Sequence, residues 1–322
     1  DVARCKAFNE RLIMRALAVA AMVPFIGLVQ PYLAMLGGLG DEAAARMIVN
    51  FHTGFNIALA VIFLPLLDLV DGLTRRLIVD KAIAGDRGQP LHLDPGSLDT
   101  PTVALACATR ETLRMGDEVK AMLQGSMTVL RNDDAGLMVE IERQDDIVDQ
   151  LHEAIKLYLT KLAQEELDVQ ESSRNIEILS FTTNLEHIGD IIDKNLIELA
   201  NKKIKSRMAF SAEGAAELHE FHASVLRNLD LALNVFISED LSLARRLLRE
   251  KTVIRDQERR LVGNHYARIG QGRPESIESS SLHLEILRDL KRISSHLTSV
   301  AYPILDRAGE LAASRLVEID KS

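Results

Sequence analysis

The segment NLEHIGDIID, residues 184–193, contains two carboxylates one helical turn apart, within a stretch whose apolar residues keep helical spacing. Glu186 and Asp190 are four residues apart, and like charges at that spacing repel each other by a few tenths of a kcal/mol. Water, a neighbouring cation or a bound metal ion could compensate this repulsion. Residues elsewhere in the chain are needed to distinguish these three possibilities.

Asp145 and Asp149 form a second carboxylate pair of the same spacing in the preceding helical segment. Facing carboxylate pairs on neighbouring helices can hold iron, manganese, zinc or magnesium. The sequence therefore predicts one divalent metal site, built from Asp145, Asp149, Glu186 and Asp190. The competing interpretation is a solvated stripe, or pairing with Lys and Arg of adjacent helices. His187 lies on a different face and is not an expected ligand.

The elements that carry these residues are all predicted to be helices, because no segment alternates like a strand. Thr100 followed by Pro101 is a helix start signal. The absence of Trp and the amphipathic stripes favour an all-α antiparallel bundle. Six helices are predicted, at residues 101–131, 134–166, 170–205, 212–238, 240–269 and 275–312.

The two halves of this bundle resemble each other at a period near 106 residues. IVDQ at 147–150 echoes IRDQ at 254–257, and residues 184–188 align with 289–293. We therefore predict two three-helix repeats, 101–208 and 209–312.

The second repeat departs from the acidic pattern of the first. In this alignment Lys291 and Ser295 replace Glu186 and Asp190, and only Asp256 keeps an acidic match, to Asp149. A metal site is therefore predicted in the first repeat alone.

Two apolar runs without charged residues, at 16–40 and 47–67, precede the charged part of the chain. Each is long enough to cross a bilayer core of about 30 Å, so we predict two transmembrane helices within residues 1–84 and a Gly- and Pro-rich linker at 85–100. Positive residues flank the spans on their outer sides, which predicts that both ends face the cytoplasm. The expected location is the inner (plasma) membrane, multi-pass, with a soluble cytoplasmic domain at 101–322.

Three polar residues, Asn50, His52 and Asn56, lie in the second predicted span. They could form hydrogen bonds between packed spans or line a transport path for a solute. The sequence does not distinguish between these two interpretations.

Composition and motifs exclude other function classes. With 47 acidic against 38 basic residues and no aromatic interleaving, the chain is not expected to bind nucleic acid. No nucleophile and base constellation is visible, so an enzyme is not expected. Five histidines are scattered over the predicted helices and are expected mostly at the surface or its boundary: His219, His222, His265, His283 and His296.

Four separated segments carry a family resemblance: VNFHTGFNIALAVIFLPLL, LHLDPGSLDTPTVALACATRETLRMGDEV, NLEHIGDIIDKN and DLKRISSHLTSVAYPIL. Together they resemble the C-terminal part of bacterial sodium-dependent phosphate cotransporters that carry a PhoU-like domain. The resemblance implies sodium-coupled uptake of inorganic phosphate by the intact protein, and a cytoplasmic regulatory domain after the last span. It also implies metal binding through Glu-x-x-x-Asp stretches, which EHIGD matches and DDIVD approximates.

Three hypotheses follow, in order of preference. The first is the C-terminal fragment of a sodium-dependent phosphate transporter, with phosphate, sodium and the lipid bilayer as partners. The second is a membrane-tethered adapter that docks a cytoplasmic signalling partner, and the third is an enzyme. The chain starts without Met and has only two predicted spans, so this piece alone is not expected to transport.

Overall fold

The computed structural model describes residues 87–311 and Thr53. The chain divides into two compact units, Asp1–Gly85 and Asp86–Ser322. Thr53 apart, the predicted spans at 16–40 and 47–67, with Asn50, His52 and Asn56, lie outside the described residues. Among the residues that are described, no helix combines the length and the apolar character needed to cross a bilayer.

Residues 87–311 form a helical bundle that contains no strand. A single 3-10 turn, Pro95–Ser97, precedes it, and residues 87–98, which we call the strap, lie against its first helix. The helices are α1 Pro101–Asn132, α2 Ala135–Leu162, α3 Val169–Ile191, a π-helical turn Ile192–Ile197, α4 Glu198–Ser206, α5 Ala212–Ser238, α6 Leu241–Gly270, α7 Pro274–Glu278, α8 Ser280–Thr298 and α9 Ala301–Arg307.

Two of the six predicted helices are interrupted. The predicted helix 170–205 widens into the π-helical turn after Ile191 and continues as α4. The predicted helix 275–312 consists of α7, α8 and α9. The break before α9 has a physical cause in Pro303, which has no N–H to donate to the carbonyl of Ser299.

The same two-residue turn joins the first and second helix of each repeat. Asp133 and Glu239 adopt left-handed backbone conformations, with φ of 55° and 49°. Asp134 and Asp240 follow as N-caps, and each side chain accepts a hydrogen bond from a backbone N–H three residues later, at 3.0 and 2.9 Å. Because cap and turn recur together, the second helix starts at equivalent points in both repeats.

Burial fixes the register between the repeats more closely than sequence matching does. Residues of α2 match residues of α6 at an offset of 106, and residues of α3 match those of α8 at an offset of 105. Asp149 therefore corresponds to Arg255, and its predicted match to Asp256 is wrong by one residue. The buried pairs that set the offset of 106 are Met138 and Ala244, Ile141 and Leu247, Val148 and Ile254, and Ile155 and Leu261.

One continuous apolar core fills both repeats. The rings of Phe181 and Phe236, from different repeats, lie 4.6 Å apart between centroids. The buried His222 on α5 places Nε2 2.7 Å from the carbonyl oxygen of Leu123 on α1. The repeats are therefore packed as one unit, which fixes α3 relative to α8.

Candidate metal centre

Three of the four predicted metal-site carboxylates come together on α2 and α3. Asp149, Glu186 and Asp190 each offer an oxygen, and these oxygens all lie within 4.8 Å of one another. We call these three residues the carboxylate cluster. Each is half-buried, so water does not fully screen the repulsion between the charges.

Asp145 lies one turn before Asp149 on α2 and is only 6% exposed. Its Oδ1 has no hydrogen-bond partner among the described residues. Burial, together with the charges of Asp193 and Asp149, raises the pKa of Asp145 to about 7. An unpaired carboxylate oxygen in this environment is costly, so it is a group that a cation would stabilise.

Gly189 lets Asp145 approach α3 closely. A Cβ at this position would lie 2.9 Å from Asp145 Oδ1 and 3.3 Å from Val148 Cγ1. Gly189 is placed between Glu186 and Asp190 along α3, so the orphan oxygen of Asp145 faces the segment that carries the carboxylate cluster. All four predicted residues are thus neighbours, with Asp145 the most buried.

The charges around the carboxylate cluster are unbalanced. Burial raises the pKa of Asp149, and the charges of Glu186 and Asp190 raise it further against the opposing effect of Lys194. Burial also raises the pKa of Asp193, a neighbour on the π-helical turn. Two adjacent helices therefore concentrate acidic groups beyond what nearby cations offset.

Two cations or potential cations already contact the carboxylate cluster. Lys194 forms an ion pair with Asp190 one turn away. His187 Nδ1 lies 2.8 Å from Glu186 Oε2. His187 lies on α3 and Lys194 on the π-helical turn that continues it, so neither partner comes from an adjacent helix, as the competing interpretation required.

The residues present fit a divalent cation. All four side chains offer oxygen ligands only, which suit magnesium or manganese, and Asp145 supplies an orphaned oxygen beside them. A bound cation would supply positive charge and cross-link α2 to α3. Asp149, Glu186 and Asp190 would hold it, with Asp145 adjacent.

A cavity of about 360 Å³ adjoins Asp190, where α3 meets α8. We call it the inter-repeat cavity. The rings of His187 and His296 meet there edge to face, with centroids 5.5 Å apart, and His296 Nδ1 lies 2.9 Å from Asn184 Oδ1. Its lining residues are His187, Asp190, Ile191, Lys194, Asn195, Arg292 and His296.

The second repeat has a basic residue at three of the four equivalent positions and a neutral one at the fourth. With the register set by burial, Asp145, Asp149, Glu186 and Asp190 correspond to Lys251, Arg255, Lys291 and Ser295. Lys291 Nζ donates to Glu258 Oε2 at 3.1 Å. Among the residues that the structure describes, the carboxylate cluster is the one group of three such ligands close enough for a metal ion.

The prediction of surface histidines is wrong for three of the five. His222, His265 and His283 are at most 5% exposed, and the last two stack with ring centroids 4.4 Å apart. His265 follows Ile254 and Leu261 at helical spacing, a signal in the sequence that indicated a core position. Burial lowers the pKa of both stacked rings, that of His283 to about 3.

A second cavity, of about 480 Å³, is lined mainly by apolar side chains of α1, α5 and the segment before α5, including Met127, Leu130 and Phe210. It shares no lining residue with the carboxylate cluster or the inter-repeat cavity. Of the two cavities, only the inter-repeat cavity is therefore lined by one of the predicted metal-site residues, Asp190.

Comparison with known proteins gives relatives concerned with phosphate. The protein named "Putative inorganic phosphate export protein YjbB" from Escherichia coli K12 is 37% identical over 299 residues, 93% of this chain and 54% of that protein. The "Phosphate-specific transport system accessory protein PhoU homolog 1" from Thermotoga maritima is 27% identical over 191 residues, 58% of this chain and 79% of that protein. This chain spans about half the length of YjbB.

Two solved structures share the fold. PhoU from Pseudomonas aeruginosa superposes with a TM-score of 0.59 at 20% identity, covering 64% of this chain and 98% of that one. The PhoU regulatory protein of the phosphate transport system from Streptococcus pneumoniae gives 0.59 at 19% identity, covering 67% and 100%. These comparisons do not show a link to sodium-dependent cotransporters.

The PhoU domain family matches residues 112–196 and 218–304, one match in each three-helix repeat. Together the two matches cover more than half of the chain, so the chain belongs to the PhoU domain family.

Proposed function

We propose that residues 101–311 are the metal-binding regulatory domain of a membrane protein that moves inorganic phosphate. The similarity to YjbB over 93% of this chain supports a role in phosphate transport. The PhoU family match supports regulation, since the Thermotoga maritima relative is named as an accessory protein of a transport system. Translocation itself is proposed only for the whole protein, because this chain spans about half the length of YjbB.

The observation that carries the regulatory role is the carboxylate cluster with the buried Asp145 beside it. A divalent cation there relieves the repulsion among four carboxylates and ties α2 to α3. Because α3 packs against α8 at the inter-repeat cavity, a change at the cluster reaches the interface between the repeats. Metal binding can thereby shift the arrangement of the bundle.

The direction of transport is proposed as export, since the relative is named for phosphate export. The sequence favoured sodium-coupled uptake, which these relatives do not support. Sodium dependence is therefore not proposed, and external sodium is varied in the transport assay.

Calorimetric titration of the full chain with Mn²⁺, Mg²⁺, Fe²⁺ and Zn²⁺ tests the metal site. We expect one ion per chain, with affinity lowered at least about tenfold, near 1.4 kcal/mol, in Glu186→Gln with Asp190→Asn. The matched control is Glu153→Gln with Lys156→Gln, an exposed pair on α2. Binding that is absent in the parent chain, or equal in all variants, would refute the metal site.

Phosphate efflux from preloaded cells that express the full-length gene tests the transport role, with and without external sodium. We expect efflux to require the gene, and its dependence on phosphate supply to be lost when residues 101–311 are deleted or the carboxylate cluster is neutralised. A full-length protein that changes no phosphate flux under any condition would leave the membrane-tethered adapter as the better interpretation.

A further inference from the structure

We infer that the inter-repeat cavity binds a small tetrahedral oxyanion, with inorganic phosphate as the probe, when the carboxylate cluster holds a divalent cation. This inference rests on the metal site in the proposed function and names the second ligand of the same region.

The inter-repeat cavity gathers hydrogen-bond donors from both repeats. Lys194 and Arg292 are permanent cations in its wall, and His187 and His296 add ring N–H groups. Arg292 Nη1 donates to Asp289 at 2.9 Å. Arginine and lysine are the side chains that proteins use most to hold phosphate oxygens.

Equivalent positions of the two repeats face each other across this cavity. His187 corresponds to Arg292 and Ile191 to His296 at the offset of 105, and all four residues line the same space. The site is therefore assembled only when both repeats pack together. Its volume of about 360 Å³ lies within the range of ordinary small-ligand sites.

The carboxylate cluster controls which donors are free. Asp190 holds Lys194 in an ion pair, and Glu186 engages His187 Nδ1 at 2.8 Å. A cation bound by Asp190 and Glu186 competes for the same carboxylate oxygens. Lys194 and His187, which already line the cavity, would then be released to meet an anion.

Electrostatics favours the same coupling between cation and anion. Without a cation, an anion in the inter-repeat cavity faces Asp190 in its wall, with Asp145, Asp149 and Glu186 close behind. A divalent cation offsets two of these negative charges, and the anion gains attraction from it. Metal and oxyanion therefore bind with positive coupling, and by linkage each raises the affinity for the other equally.

The test is titration of inorganic phosphate into the full chain, once loaded with Mn²⁺ and once treated with chelator. We expect binding to the loaded chain and at least about tenfold weaker binding to the chelated one. Arg292→Gln and His296→Gln should each weaken phosphate binding by about tenfold or more. Arg288→Gln, an exposed residue one turn earlier on α8 that does not line the cavity, is the matched control.

The outcomes separate this inference from the proposed function. Normal Mn²⁺ binding without phosphate binding would overturn the inference and leave the metal site intact. Phosphate binding that is unchanged by chelator, or equally weakened by Arg288→Gln and Arg292→Gln, would also overturn it. Stronger competition by glycerol 3-phosphate than by phosphate would show that the cavity recognises a phosphoryl group on a larger ligand instead of the free anion. Failure to bind Mn²⁺ would refute the proposed metal site itself.

Discussion

At the scale of single residues, the charge reversal between the repeats distinguishes one candidate site from its copy. The acidic positions Asp145, Asp149 and Glu186 have basic counterparts in the second repeat. Burial of Asp145 against Gly189 gives the first repeat a close contact between α2 and α3. The second repeat has Ser294 at the position of Gly189.

Gly189→Ala should lower the affinity for metal, because the new Cβ would displace the Asp145 carboxyl group from its position 2.9 Å away. The helix propensity of Ala favours the substitution by about 0.5–1 kcal/mol, and the close contact is expected to cancel that gain. Calorimetric titration with Mn²⁺ and urea unfolding measure the two effects.

Gly263→Ala on α6 is the matched control, since a Cβ there meets nothing within 4 Å. It should raise the free energy of unfolding by about 0.5–1 kcal/mol and leave metal affinity unchanged. Equal stabilisation by both substitutions, with unchanged metal binding, would contradict the close approach at Gly189.

The stacked His265 and His283 predict a loss of stability in acid. Burial holds the pKa of His283 at about 3, against 6.5 for an exposed histidine, and it also lowers the pKa of His265. Below pH 6.5 these two rings therefore bind more protons in the unfolded chain than in the folded one, so their contribution to the free energy of unfolding falls as the pH falls. The raised pKa of Asp145 contributes with the opposite sign. Arg268, whose Nη2 lies 2.8 Å from Glu217 Oε2, adds a positive charge near the rings.

Replacing the pair with its first-repeat counterparts, as His265→Leu with His283→Ile, should reduce the loss of stability between pH 6.5 and about 4.5 relative to the parent chain. Urea unfolding at several pH values measures this slope. His219→Gln, at an exposed position on α5, serves as control and should keep the slope. A double variant with the parent slope would show that other groups cause the acid sensitivity.

At the scale of elements, the sequence predicted the number and order of the long helices but not their interruptions. Helical periodicity continues through the π-helical turn Ile192–Ile197 because one extra residue barely disturbs a pattern of apolar positions. The break at Ser299 could have been read from Pro303. Sequence identity between IVDQ and IRDQ pairs Asp149 with Asp256, whereas the buried positions pair it with Arg255.

The strap was predicted only as a linker, and its attachment to α1 could not be read from spacing. Glu111, fully buried, accepts hydrogen bonds from the backbone N–H of Leu91 at 3.0 Å and of His92 at 2.6 Å. Arg114 pairs with Glu111 at 2.5 Å and donates to the carbonyl oxygen of Arg87 at 2.6 Å. Glu111 thus fastens the strap to α1, together with the pair that Arg87 forms with Glu118 at 2.9 Å. Tyr158 on α2 also donates a hydrogen bond to the carbonyl oxygen of Asp94 at 3.0 Å.

Glu111→Gln should loosen the strap around Leu91 and His92, because the amide lacks the charge that Arg114 and two backbone donors share. We expect a loss of about 1.5–3 kcal/mol in the free energy of unfolding and faster proteolytic cleavage within residues 87–98. Asp117→Asn, exposed on the same helix, should change neither quantity. Unchanged cleavage in Glu111→Gln would show that other contacts hold the strap.

At the scale of the whole molecule, the duplication was visible in the sequence, but the interface between the repeats was not. Periodicity shows which face of a helix is buried, and it does not show which helix of the other repeat covers that face. The carboxylate pairs were predicted to converge, and three of the four do so within 4.8 Å. The inter-repeat cavity was not predicted, because it depends on α3 meeting α8.

Phe236 at the end of α5 tests whether the two repeats unfold together. It is 1% exposed, its ring meets Phe181 of the first repeat at 4.6 Å, and its carbonyl oxygen accepts from Arg174 Nη2 at 3.0 Å. Phe236→Ala should cost about 3–5 kcal/mol in one cooperative transition, because the core is continuous across the repeats. The neighbouring Ile237 is 57% exposed, so Ile237→Ala should cost far less.

Hydrogen exchange extends this test to the metal site. If the repeats unfold as one unit, Mn²⁺ bound at the carboxylate cluster should slow exchange of core amides on α6 in the second repeat as much as on α2, since both open only by global unfolding. In Phe236→Ala the added protection should remain equal on both helices if cooperativity persists. Protection confined to α2 in the parent chain would show that the repeats open independently. Metal binding in the first repeat would then not stabilise the second repeat.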